Sequence, residues 1–206
     1  MIDIGILIFD GIEELDFVGP WEVWNMVNTV RRYYGEAEAF QLRLISPDGR
    51  QIKASKGMRV LADASIADID RLDIICVPGG QGARSLLQQA DVVAWVKQVA
   101  DQAKWVTSVC TGALVLSKAG LTKNKRLATY WGAFDEFEKL GLTGTLVPNV
   151  RYVRDGNLLT SAGVSAGIDM SLWLVGELFS PQFSRDVQRA MQYDRCLLYT
   201  SPSPRD

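Results

Sequence analysis

The sequence predicts an α/β domain in which a mainly parallel sheet is covered by helices on both faces. Three observations point there. Short β-rich runs alternate with longer helical patterns along most of the chain. Runs such as Ile2-Asp3-Ile4-Gly5-Ile6-Leu7-Ile8-Phe9 and Asp73-Ile74-Ile75-Cys76-Val77 are almost continuously apolar, as strands buried on both faces are. Two of the strand-like runs stop abruptly in small residues, at Pro78-Gly79-Gly80 and at Cys110-Thr111-Gly112, where a strand would hand over to a helix.

Taken in order, the first strand ends at the turn Asp10-Gly11. Gly19-Pro20 then opens a helix reaching about Tyr33, with Pro20 in its first turn and Trp21, Trp24 and Val27 spaced by three on one face. Phe40 to Ser46 is a second strand, Gln51 to Ser55 and Met58 to Leu61 a hairpin, and Asp73 to Val77 a central strand. Val92, Val93, Val96 and Val99 mark a helix, and Lys104 to Val109 a strand that runs directly into Cys110. Thr111 to Lys118 is helical and Gly120 ends it. Leu127 to Thr129 is strand-like, and Ala133 to Leu140 is a helix closed by Gly141. Val150 to Arg154 and Leu158 to Thr160 flank an Asp155-Gly156-Asn157 turn, and two helices follow, Ile168 to Phe179 and Pro181 to about Tyr193. Residues 1–194 thus read as a single domain. The remainder, 195–206, has no helical period and two Pro-containing pairs. It reads as an extraneous or disordered tail of translated adapter or vector type and is set aside, with Cys196, from functional reasoning.

Composition removes several classes of function. With 22 basic and 24 acidic residues and a net charge of −2, no chain-wide field draws this protein to nucleic acid or to an anionic membrane. There is no histidine, which excludes Ser-His-Asp and Cys-His catalysis within the chain and His-ligated zinc. The three cysteines, Cys76, Cys110 and Cys196, are widely spaced with no CxxC, so neither a disulfide framework nor a zinc ribbon is signalled, and a reducing cytoplasm is the expected setting. The apolar start is too short to span a bilayer and lacks a basic leader.

One cysteine stands where chemistry is expected. In Trp105-Val106-Thr107-Ser108-Val109-Cys110-Thr111-Gly112, a strand-to-helix turn lifts Cys110 above the carboxyl edge of the sheet, as in a nucleophile elbow. The N–H groups and dipole of the new helix favour the thiolate there. A buried cysteine packed as a small hydrophobe is the alternative, and it is the expectation for Cys76 within Ile-Ile-Cys-Val. The glycines after the central strand emerge at the same edge, where their N–H groups can serve as an oxyanion hole or merely make a tight turn. Of the carboxylates near the first strand's end, Glu13, Glu14 and Asp16, only Asp16 lies between apolar neighbours; burial would raise its pKa towards that of a proton donor. Thr111 offers a hydroxyl to the sulfur or to a water, or caps its helix. Ser161 to Asp169 reads first as a close-packed helix start capped by Ser165, with Gly163 beside the pocket, and Tyr130-Trp131 as core or pocket wall.

Four motifs, Leu15-Asp16-Phe17-Val18-Gly19-Pro20, Val77-Pro78-Gly79-Gly80, Ser108-Val109-Cys110-Thr111-Gly112 and Thr160 to Asp169, stand in the order and spacing of the DJ-1/PfpI superfamily, and the resemblance covers nearly all of residues 1 to about 194. Within it the chain is similar to the isonitrile hydratase subgroup and the related sensor domains of AraC-type regulators. The resemblance implies a flavodoxin-like, class I glutamine amidotransferase-like three-layer sandwich and a homodimer. It implies Cys110 as nucleophile, Asp16 as acid–base partner, Thr111 as required neighbour, and an anion-stabilising cradle from the backbone of Gly79 and Gly80 with Thr111. The expected activity is hydration of a small isonitrile to an N-substituted formamide without metal or organic cofactor. Where members carry Thr-Thr-His-Trp, this chain reads Ala128-Thr129-Tyr130-Trp131. Tyr130 in place of the histidine weakens protease and glyoxalase-like readings more than a hydratase one, since a phenol is a poor base at neutral pH. The rival expectations are a non-catalytic ligand-sensing domain and a redox sensor working through oxidation of Cys110.

Overall fold

The computed structural model describes residues 1–194. The tail 195–206, with Cys196, lies outside the described residues. The chain forms β1 (Ile2–Leu7), α1 (Glu14–Tyr33), β2 (Phe40–Ser46), β3 (Ile52–Lys53), β4 (Arg59–Val60), β5 (Ala64–Ser65), β6 (Ile74–Val77), α2 (Ala83–Leu86), α3 (Ala90–Ala100), β7 (Trp105–Val109) and α4 (Gly112–Lys118). It continues through β8 (Arg126–Leu127), α5 (Phe134–Lys139), β9 (Thr145–Leu146), β10 (Tyr152–Asp155), β11 (Leu158–Ser161), α6 (Ala166–Leu178) and α7 (Pro181–Ala190).

Seven strands form the central sheet in the order β10-β11-β7-β6-β1-β2-β5. Every pairing is parallel except that of β10 with β11. All four residues of β6 are buried, as are Ile4 to Leu7 of β1, which accounts for their unbroken apolar sequence. The crossover from β1 to β2 runs one way along the sheet and that from β6 to β7 the other, so right-handed connections place α1 and α3 on opposite faces. Accordingly α1 packs with α6 and α7, and α2, α3 and α4 pack with one another. The chain reverses direction between β1 and β6, and the carboxyl ends of β1, β6 and β7 meet at this switch point, where open α/β sheets bind ligands.

Three departures from the sequence reading have physical causes. The first helix begins at Glu14, not Gly19, and Pro20 sits inside it. Burial of Asp16, Phe17, Gly19 and Pro20 on one face outweighs the lost backbone bond, and Pro20 lies against Gly167 of α6. Ser165 occupies the position before α6 without a capping bond; its hydroxyl accepts from Arg151 instead. The two-residue edge strand β5 carries too short a pattern to be read, and is fixed by pairing with Ile45 and Ser46.

Candidate active site

The turn after β7 gives Cys110 a φ of +56°, a left-handed conformation that costs a non-glycine residue on the order of 1 to 3 kcal/mol. Its surroundings hold it there. The Cys110 N–H donates to Ser161 O and Ala162 O, both at 3.2 Å, and its carbonyl accepts from the Thr129 hydroxyl at 2.8 Å. Immediately beyond, Gly112 is indispensable: a Cβ there would stand 1.9 Å from Val77 O. The strand-to-helix elbow therefore presents the sulfur above the sheet edge, with only 6% of the residue exposed.

Asp16 reaches the same point from the first turn of α1 and is fully buried. Its Oδ2 accepts from the Gly79 N–H at 3.0 Å. Burial, with a smaller contribution from the Glu13 charge, pushes this carboxyl up to about 7, against the Gly79 hydrogen bond, which lowers it. The Cys110 thiol faces Asp16, and burial followed by the Asp16 charge pushes it up to about 12, while the Thr111 N–H and hydroxyl pull it down. Position at a helix start thus does not by itself make a thiolate here. The two groups are coupled, and sulfur and carboxyl cannot both be ionised cheaply at this separation. The thiolate belongs to the state in which Asp16 holds the proton.

In this structure both N–H groups of the expected Gly79 and Gly80 cradle have partners within the protein. Gly79 N–H is committed to Asp16, and Gly80 N–H to Thr111 Oγ1 at 3.0 Å. These glycines instead position the acid and the hydroxyl. Both are required: a Cβ on Gly79 would lie 2.4 Å from Thr111 N, and Gly80 has φ +122° with Glu13 N 2.4 Å from its Cβ position. Thr111 does not cap α4 with its side chain; its hydroxyl donates to Gly80 O at 3.2 Å.

A cavity of about 210 Å³ opens on Cys110 and Thr111 and is walled by Glu13, Ser55, Arg84, Tyr130 and Val164. Tyr130 is among the residues lining it, its ring backed by Gly163, where a Cβ would fall 2.6 Å from the ring. Trp131 does not: it is 78% exposed and touches Tyr130 from outside, because the helical turn at Trp131–Ala133 rotates it away. Sequence reading missed Arg84, Thr129 and Val164. Arg84 and Thr129 act through backbone carbonyls that no motif announces. Val164 adopts φ +52°, unusual for a β-branched residue, and its N–H faces the Asp16 carboxyl. Cys76 is buried in β6 with its thiol pushed up to about 12 by burial.

Among the described residues no cluster suited to a metal ion occurs, and no helix is long and apolar enough to cross a membrane. The DJ-1/PfpI family model matches residues 3–177. The chain is 36% identical to isonitrile hydratase of Pseudomonas putida, over 98% of its own length and 83% of that enzyme. It is 28% identical to the HTH-type transcriptional regulator CdhR of Pseudomonas aeruginosa, over 90% of its own length but about half, 53%, of the regulator. A crystal structure of a ThiJ/PfpI family protein from Pseudomonas syringae superposes with a TM-score of 0.84 at 26% identity, covering 98% of this chain and 79% of that one.

Proposed function

The chain belongs to the DJ-1/PfpI family, and from that premise we propose that it is a cysteine-dependent hydratase converting a small isonitrile to an N-substituted formamide. The observation that carries this reading is the buried Asp16 carboxyl, poised near neutrality against the Cys110 thiol in a chain without histidine. Similarity to isonitrile hydratase over most of both chains supports the same substrate class.

Within the pair, proton transfer from sulfur to Asp16 creates the thiolate and a neutral carboxyl. The thiolate attacks the terminal carbon of the isonitrile, forming the C–S bond, and Asp16 delivers its proton to that carbon, giving a thioimidate and a carboxylate. Asp16 then takes a proton from water as the hydroxyl adds to the thioimidate carbon. The C–S bond breaks, the remaining hydroxyl proton moves to nitrogen, and formamide leaves with the thiolate and the neutral carboxyl restored. One water is consumed and no electrons are exchanged. Thr111 lies beside the sulfur, where its hydroxyl can pass the proton from oxygen to nitrogen. A homodimer in a cytoplasmic setting completes the reading.

The test is formamide production from cyclohexyl isonitrile by the purified protein and its Cys110→Ala form. Turnover lost in the variant is expected; no turnover by the parent, or equal turnover by the variant, sinks the proposal. A ligand-sensing domain is the second reading, favoured by the likeness to CdhR. It predicts saturable binding of a small molecule with no chemical change.

A further inference from the structure

Beside the Cys110, Asp16 and Thr111 cluster, Arg84 is the cation that lines the cavity among the described residues. Arg84, on α2, donates from Nη1 to Gly80 O at 2.9 Å, and the same nitrogen lies 3.5 Å from Thr111 Oγ1. Its other edge grips Glu136 of α5 in a two-point fork, Nε to Oε1 at 2.9 Å and Nη2 to Oε2. We propose that Arg84 is a positioning residue of this site: one nitrogen fixes the Gly80 peptide and the Thr111 hydroxyl, and the fork to Glu136 anchors the segment that brings Tyr130 to the cavity.

Gly80 has no side chain to lock its orientation, and its φ of +122° is open only to glycine in practice. Both sides of the residue are nonetheless held, the N–H by Thr111 and the carbonyl by Arg84. The carbonyl also accepts from the Thr111 hydroxyl and the Ala83 N–H, both at 3.2 Å, so Arg84 adds a third and charged donor, and removing it loosens the turn without freeing it. Thr111 Oγ1 receives the Gly80 N–H and faces the Arg84 nitrogen, and donors drawing on that oxygen make its own proton, given to Gly80 O in this structure, a better hydrogen-bond donor.

The other end works through geometry alone. Tyr130 and Glu136 flank the short helical turn Trp131–Ala133, so holding Glu136 restrains the approach of Tyr130 to the cavity wall. Arg84 and Glu136 side chains are 34% and 30% exposed. An ordinary exposed ion pair is worth little, but a forked arginine–carboxylate pair fixes direction as well as distance. Lysine can reach Gly80 O but cannot form the fork.

The hydratase readout of this inference rests on the proposed function; a second readout does not. Arg84→Met, Arg84→Lys and Glu136→Gln are compared with the parent in turnover of cyclohexyl isonitrile and in the rate of Cys110 alkylation by iodoacetamide, followed by peptide mass spectrometry. For Arg84→Met, kcat is expected to fall about tenfold or more, with the pH midpoint of kcat unchanged and the alkylation rate altered about threefold or more. Arg84→Lys should recover most of kcat, yet share with Glu136→Gln a KM raised about threefold or more. Parental kcat, KM and alkylation in Arg84→Met overturn the proposal, as does a shifted pH midpoint, which would mean action by charge on Asp16. If Arg84→Met does not fold, parental KM in both remaining variants overturns it. A parent with no turnover defeats the hydratase reading, and the alkylation comparison then decides the role of Arg84.

Discussion

The Gly79 N–H donates to Asp16 Oδ2 at 3.0 Å, tying the turn after β6 to the first turn of α1 at the sulfur of Cys110. The bond aims the carboxyl and keeps one oxygen of this fully buried side chain satisfied. It also demands that position 79 carry no side chain.

Gly79→Ala should therefore unsettle both groups at once. The added Cβ meets Thr111 N at 2.4 Å and Asp16 Oδ2 at 3.0 Å, and overpacking of this kind costs about 1–3 kcal/mol. Thermal unfolding is expected at a lower temperature, together with slower Cys110 alkylation. An unchanged Tm would contradict the tight packing of this turn.

The two described thiols should separate clearly under mild peroxide. Cys76 is fully buried inside β6, whereas Cys110 opens on the cavity. Mass spectrometry is expected to find sulfenic or sulfinic acid at Cys110 well before Cys76 reacts. Equal rates would argue against an activated sulfur and against any redox-sensing use of it.

Asp16 makes a prediction about pH. Its folded-state carboxyl releases its proton at about 7, its unfolded one near the ordinary carboxyl value of 3.8. Between these values the unfolded chain binds fewer protons, so the Asp16 contribution to stability is complete below about pH 4 and drains away as pH rises to about 7. Denaturant titrations should show the parent losing stability over that window relative to Asp16→Asn, and parallel curves would refute the raised carboxyl. Under the proposed function the same variant lacks turnover.

Tyr130 tests where the proton work is done. Since Asp16 carries it in the proposed mechanism, Tyr130→Phe should keep kcat within about threefold, with any change falling mainly on KM through the cavity wall. A collapse of kcat of about a hundredfold would assign the phenol a direct role instead.

Much of this arrangement was legible in the sequence because it depends on local pattern. The apolar runs ending at Pro78-Gly79-Gly80 and Cys110-Thr111-Gly112 place two turns at one sheet edge as soon as their strands are parallel neighbours. Asp16 stood out through its apolar neighbours, although its helix begins earlier than Pro20 suggests, because packing against α6 decides the boundary. What could not be read were long-range commitments. That the Gly79 and Gly80 N–H groups are already taken, that Arg84 bridges to Glu136, and that Trp131 turns outward all depend on partners distant in the chain or on the rotation of a single turn.

The switch point between β1 and β6 also bears on how the protein acquires its shape. Acid and sulfur arrive on opposite sides of the innermost strand β6, on segments separated by nearly half of the chain, so neither hairpin nor any single strand–helix unit contains the site. Such non-local pairings close slowly, because their loop entropy must be overcome before their contacts form. Protection of the Cys110 thiol from alkylation during refolding would consequently time the docking of β1, β6 and β7, making the reactive sulfur a clock for assembly of the sheet itself.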